Sequence, residues 1–283
     1  MTSCHADEKT SPSHAMTTVK IMTSPSMPRL EINGRAVSVE TLWFPALSNY
    51  GHYTAMQVRN GKTRGLELHL NRLRAATREL FDTDLDDDRV RAHIRHALSD
   101  GTEEGSVFVT VFRHGSHAEP SIMVTVGAPA EATAAPQRLQ SVGYQRPLAH
   151  IKHVGTFGQT HYTAIAQRDG FDEALLTGPD GAVSEAAAAN IGFFDGTAVV
   201  WPSAPALHGI TMQILELTLA DVGLLSQRRS VRLDELASFT AAFVSNSIGI
   251  TPVSQIDDHE FSVDTELITA LAQAYESVAW DNI

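Results

Sequence analysis

Cysteine is almost absent from this chain of 283 residues: there is one, Cys4, so no internal disulfide can form. That suits a reducing compartment, and the expectation is a cytoplasmic protein. No stretch approaches the roughly 20 consecutive apolar residues that a membrane-crossing helix needs. Residues 1–27 also lack the apolar core of a secretory signal. Positive charge is scarce, with 21 Lys and Arg against 33 Asp and Glu and a formal net charge of −12. This argues against nucleic acid held through phosphate contacts, and against an anionic membrane surface. It leaves room for a small anionic substrate, because local arginines can build a positive pocket in an acidic protein. There is no Walker A pattern, no G-x-G-x-x-G after a strand, no G-x-S-x-G elbow and no zinc-type Cys/His spacing, so no metal is expected.

What is present is a globular composition, 43% hydrophobic and 19% charged, enough for one large core or two medium ones. Residues 1–27, rich in Ser, Thr, Pro and Met, are read as a disordered leader, or as an upstream extension with Met27 near the natural start. Regular patterning begins at Arg29. Two hairpins are marked by Asn33-Gly34 and Asn60-Gly61. Helical period follows from Leu66, with Leu70, Leu73 and Leu80 on one broad face. A second helix is predicted over about Asp87–Leu98, then strands around 106–113 and 121–126. Residues 28–127 thus form a small α+β domain. The small residues and prolines of 128–136 read as a linker, and 137–283 as a larger domain. That domain holds strands around 139–145, 172–178, 189–194, 197–201 and 241–247. Its helices are placed at about Tyr162–Arg168, Thr211–Val222 and Asp264–Val278.

Few residues carry chemistry. Lys152 stands among Ile151, His153, Val154 and Gly155. A lysine in apolar and small company is a candidate for partial burial, which lowers its pKa and makes it a better amine nucleophile. The bland alternative is a surface lysine at a strand end. Glu185 lies on the return strand of a hairpin that turns at Asp180-Gly181, and four alanines follow it. Those alanines could continue as a short helix capped by Ser184, or could let a planar ligand approach the backbone before Asn190 resumes a strand. Gly209-Ile210-Thr211 opens an amphipathic helix, whose free N–H groups and dipole suit a phosphate, though a glycine turn with a Thr cap would look the same. Ser245, Asn246 and Ser247, between a strand and a loop, could add donors or be ordinary turn residues. Arg72, Arg74 and Arg78 share one helix. Arg113 ends a strand, where it could clamp a carboxylate. Tyr53 could be a core aromatic or a site hydroxyl. A lysine able to form a Schiff base and a carboxylate able to hold a pyridinium are the two protein groups that pyridoxal-phosphate chemistry needs most.

The order of these motifs resembles the class IV, fold-type IV pyridoxal-phosphate aminotransferases, a family that includes branched-chain and D-amino-acid aminotransferases and aminodeoxychorismate lyase. The resemblance covers about residues 29–260. It rests on His69-Leu70-Asn71-Arg72-Leu73, on Lys152, on Gly170-Phe-Asp-Glu-Ala-Leu-Leu, on Ser184-Glu185 with Asn190-Ile191, and on Gly209-Ile210-Thr211. It implies an α+β fold of small N-terminal and larger C-terminal domains, with pyridoxal 5′-phosphate in the cleft between them. By the same resemblance Lys152 forms the Schiff base and shuttles the proton, and Glu185 pairs with the pyridine nitrogen. Arg72, Asn190, Gly209, Ile210, Thr211 and Ser247 surround the cofactor, mostly at its phosphate, while Tyr53 and Arg113 meet the substrate. The implied partners are small amino and keto compounds, and the implied assembly is a homodimer. Departures are visible. Asn49-Tyr50-Gly51-His52-Tyr53-Thr54 lacks the usual acid, Met212 follows Gly-Ile-Thr, and Phe157 stands where branched-chain enzymes have a tyrosine. The expected reaction is transamination through Lys152. The alternatives are a lyase-like elimination that releases pyruvate, and a non-catalytic relative that binds the cofactor or a partner.

Overall fold

The computed structural model describes residues 28–99, 103–115 and 119–283, so the leader expected over 1–27 lies outside the described residues. Strands β1 (Arg29–Ile32) and β2 (Arg35–Ala36) form the first hairpin, and β3 (Gly51–Val58) and β4 (Lys62–Arg64) flank the second. Both Asn-Gly turns have positive φ at both residues, 51° and 70° at Asn33-Gly34 and 50° and 67° at Asn60-Gly61. This is the turn geometry whose twist matches that of the flanking strands. With β5 (Gly105–Phe112) and β6 (Ser121–Gly127), strands β1, β2 and β3 make a five-stranded sheet ordered β2-β1-β6-β5-β3, which leaves β3 at an edge. Helices α2 (Leu66–Phe81) and α3 (Asp87–Leu98) bury Leu70, Leu73, Val90 and Ile94 against Val107, Val109 and Ile122. Helix α1 (Val39–Leu47) has no counterpart in the sequence reading. It buries none of its residues and contains Pro45, so there is no core-facing period to detect.

The second sheet has nine strands: β7 (Gln137–Gly143), β8 (Glu173–Thr177), β9 (Val183–Ala186), β10 (Asn190–Phe194), β11 (Ala198–Pro202), β12 (Leu225–Arg229), β13 (Ala241–Asn246), β14 (Gly249–Ile256) and β15 (His259–Glu260). Their order is β12-β11-β10-β13-β14-β7-β8-β9, with β15 paired to β14. The sheet curls until Ala186, at the end of β9, bridges Ala189 beside β10. Leu139, Leu175, Ile191, Phe193 and Val253 fill one side of it. Helices α5 (Ile210–Thr218) and α6 (Thr265–Glu276) pack with Trp201 and Phe243 in a separate cluster. Glu185 is on β9, and a tight turn over Ala187-Ala188, not a helix, joins it to Asn190.

Two differences from the sequence reading matter for the site. Helix α4 (Phe157–Arg168) starts earlier than Tyr162. Its first turn has no apolar core face to announce it: Phe157 is 83% exposed, while Gln159 and Thr160 line the cleft described below. The chain also does not stay with the second sheet to its end. Strand β16 (Trp280–Asn282) pairs antiparallel with β4, and Ile283 is buried in the core of the first sheet. No helix among the described residues is long and apolar enough to cross a membrane.

Helix α2 depends on its apolar stripe. Leu73 is fully buried beside Arg72, so Leu73→Ala is expected to lower unfolding free energy by about 2–5 kcal/mol in chemical denaturation.

Candidate active site

Lys152 is brought to the cleft by backbone pairing. The edge strand β3 accepts a short extra strand: Tyr53 N–H donates to the Lys152 carbonyl at 2.8 Å, and Val154 N–H to the Gly51 carbonyl at 3.0 Å. His52 and His153 form the antiparallel bridge between these two bonds. An exposed edge offers unpaired N–H and C=O groups, and this segment satisfies them. The pairing sets Lys152 Nζ 4.7 Å from the centre of the Tyr53 ring, within cation–π range. The Tyr53 ring in turn stacks on Phe108, with centres 6.2 Å apart.

Glu185 is 5% exposed and has both oxygens engaged. Oε1 accepts from Arg146 Nε at 2.7 Å, and Oε2 from the Leu207 N–H at 3.0 Å. Each carboxylate oxygen can accept a second bond, so the group still has capacity for a donor from the cleft. Arg146 also donates to the carbonyl oxygens of Ile151, at 3.1 Å, and Ala149. One buried guanidinium therefore ties Glu185 to the segment that presents Lys152. Arg146 was not picked out from the sequence. It sits in a loop without periodicity, and its partner is remote in the chain.

The other end of the cleft is cationic. Arg72 donates to Thr54 Oγ1, which lies 2.6 Å from His69 Nδ1. Burial lowers the Arg72 pKa to about 10, with Tyr53 acting in the opposite sense, so it stays charged at neutral pH. Burial, and then the charges of Arg72 and Lys152, hold His69 well below its usual value and keep it neutral. Gly209, Ile210, Thr211 and Ser247 line the same cleft as Arg72. The first N–H groups of α5 have no partners within the helix, and Thr211 Oγ1 donates to the Asn246 carbonyl at 2.7 Å. Gly209 N–H donates to Asn190 Oδ1 at 3.1 Å, and Asn190 Nδ2 to the Leu207 carbonyl at 2.6 Å. A Cβ on Gly209 would collide with the Asn190 carboxamide, which explains a glycine there.

Lys152, Glu185, Arg72, Asn190, Gly209, Ile210, Thr211, Ser247 and Tyr53 all line one cleft. Arg113 is not among its lining residues. It donates to the Phe81 carbonyl at 2.5 Å and lies over the Phe81 ring. In this chain it caps the C-terminus of α2, where a cation complements the helix dipole, and does not stand where it was expected to meet a substrate carboxylate. Glu173, also unforeseen, lies at the cleft wall and accepts from the Ala188 N–H, while Asn246 Nδ2 donates to the Ala188 carbonyl at 3.4 Å. The alanine turn is thus held from both sides.

The donor set fits a phosphorylated pyridine. Arg72 Nε and Ser245 Oγ are buried without a partner, and a ligand anion or hydroxyl would relieve such groups. A carboxylate with spare acceptor capacity faces the same space. The arrangement brings together the kinds of group that a pyridoxal-phosphate site requires. Residues 51–256 match the family described as Amino-transferase class IV, and the chain belongs to that family. Class IV aminotransferases use pyridoxal phosphate and act on amino and keto acids.

Solved structures show the same fold, that of fold-type IV enzymes. A protein from Legionella pneumophila, provisionally assigned as a 4-amino-4-deoxychorismate lyase, is 21% identical over 81% of this chain and 91% of its own, with a TM-score of 0.73. The branched-chain aminotransferase of Thermoproteus uzoniensis with norvaline is 18% identical, over 87% and 93%, with a TM-score of 0.76. A hypothetical aminotransferase from Mycobacterium tuberculosis, bound to α-ketoglutarate and PMP, is 17% identical, over 88% and 97%, also at 0.76. No curated protein matches the chain at a significant level.

Burial pushes the Glu173 carboxyl up to about 7, against the Ala188 hydrogen bond and with help from Asp172 and Glu185. Its folded pKa lies above its unfolded one, so its contribution is fully present below the unfolded pKa and is lost as pH rises through 7. Urea midpoints measured between about pH 5 and pH 8 are expected to fall less for Glu173→Gln than for the unaltered protein.

Proposed function

We propose that the protein is a pyridoxal-phosphate-dependent aminotransferase that moves an amino group between an amino acid or amine and a keto acid. The observation that carries this reading is that Lys152 and Glu185 face one cleft and are fixed relative to each other through Arg146. When bound, the cofactor supplies a carbonyl that condenses with amines and a ring that accepts electrons from the substrate Cα–H bond. In this reading Lys152 Nζ would be the amine that holds the cofactor, and would take up and return the proton at substrate Cα. Glu185 would accept the pyridine N–H, and the Arg146 guanidinium holds the carboxylate in position. Arg72 and the N-terminus of α5, with Gly209, Ile210, Thr211 and Ser247, bind the phosphate. Asn190 holds Gly209 in place, and Tyr53 covers the lysine. Small amino and keto acids are the substrates, and a cytoplasmic homodimer is the expected form.

A second reading is elimination with release of pyruvate. Phe157 is 83% exposed, so position 157 gives the cleft no phenol of the kind a branched-chain enzyme would have, which weakens a branched-chain assignment. The distinction is chemical: an aminotransferase needs an amino acceptor, and an elimination does not.

The protein incubated with pyridoxal phosphate is expected to absorb at about 400–430 nm, and borohydride is expected to fix the cofactor on Lys152. Lys152→Ala should lose the band and the amino-transfer activity together. Absence of the band in the unaltered protein sinks both enzyme readings, and pyruvate formed without any keto acid selects the lyase.

A further inference from the structure

Helix α2 carries His69 and Arg72 but has no cap of its own. Its N-cap residue is Gly65, in the left-handed region at φ 67°, with no side chain to accept the first N–H groups. The Leu66 N–H is instead taken by Asp281 Oδ2, at 2.9 Å, from the far end of the sequence. A carboxylate at a helix N-terminus is favoured by the helix dipole as well as by the hydrogen bond.

Asp281 is held there by several independent contacts. Trp280, Asp281 and Asn282 pair with Arg64, Thr63 and Lys62. Ile283 N–H donates to the Gly61 carbonyl at 3.3 Å, and its side chain is 9% exposed in the first core. Arg64 donates to the carbonyl oxygens of Val278, at 3.0 Å, and Glu276, at 3.4 Å. Its guanidinium sits 4.2 Å from the centre of the Trp280 ring and 5.3 Å from that of Tyr275. Thr63, Arg64 and Tyr275 are themselves cleft-lining. Asp281 is not, and it touches neither His69 nor Arg72, so whatever it does for the site it does through the helix.

We propose that Asp281 is a positioning residue for the phosphate end of the cleft. By capping α2 from strand β16, it fixes where the Arg72–Thr54–His69 group stands. Residues 280–283 thereby belong to the phosphate-binding apparatus although they lie outside the cleft. This rests on the reading that Arg72 meets the cofactor phosphate. The ring end is built from Glu185 on β9 and from Arg146 in the loop before Lys152, a loop whose His150 meets α2 at Glu79 in its last turn, far from the capped first turn. Loss of the cap is therefore felt more by the phosphate than by the pyridine ring.

That asymmetry supplies the test. The affinities of the full-length apo-protein for pyridoxal phosphate and for pyridoxal, which lacks the phosphate, are measured by absorbance titration. Asp281→Ala is expected to weaken pyridoxal-phosphate binding about five-fold, the equivalent of a helix cap of ~1 kcal/mol, and to leave pyridoxal within about two-fold. Asp281→Asn, which keeps an acceptor but loses the charge, should recover most of the loss. If Asp281→Ala does not give a cooperative melt, Asp281→Asn alone decides, through a smaller loss confined to the phosphorylated ligand. Equal weakening of both ligands, or of neither, overturns the proposal while leaving the cofactor assignment standing. Failure of the unaltered protein to bind either ligand overturns the cofactor-site reading and this proposal with it.

Discussion

The buried pair of Arg146 and Glu185 is the constraint around which the site is organised. Its two side chains are 4% and 7% exposed, so both charges have given up water, and desolvation offsets much of their attraction. Such a pair is a poor source of stability but a strong source of geometry, because each group left alone would be an uncompensated buried charge. Arg146 uses its remaining donors on the carbonyl oxygens of Ala149 and Ile151, and Lys152 follows immediately. The glutamate on the curled sheet and the lysine segment on the edge of the other sheet therefore share one rigid connector.

The opposite end of the cleft works by a complementary rule. Arg72 remains positive although it is buried, and its neighbours His69 and His52 are kept neutral by burial first and by the arginine's own charge second. Among these three neighbours the positive charge thus rests on the guanidinium, in the cleft that the first residues of α5 also line. An anion is welcome there despite a chain whose net charge is −12. The cleft thus brings together an acceptor carboxylate, a lysine amine, a buried guanidinium and the N-terminus of α5. That set matches a ring nitrogen, a carbonyl and a phosphate carried by one small molecule.

Much of this was legible from the order of residues. The two Asn-Gly turns need positive φ at consecutive positions, which few other residue pairs accept. The leucine stripe of α2 announces a buried face, and Gly209-Ile210-Thr211 announces a helix start. The unread parts share a different property: their evidence lies in a partner elsewhere in the chain. Arg146 is an unremarkable loop arginine until Glu185 is beside it. Glu173 is one acid in a strand until the Ala188 N–H reaches it. Arg113 looked like a clamp at a strand end, and proved to be occupied by the last carbonyl of α2. Helix α1 and the first turn of α4 escaped because neither presents a periodic apolar face.

The sequence by itself determined the local elements, the amine and carboxylate pair, and through their ordered motifs the family. Local propensity, turn stereochemistry and hydrophobic period act over a few residues, so they survive in one dimension. Only the tertiary structure decided which charges neutralise one another, which arginines line the cleft, and that Asp281 caps the helix bearing Arg72. Those outcomes depend on distances between residues far apart in the chain, and on how much water the fold removes from between them.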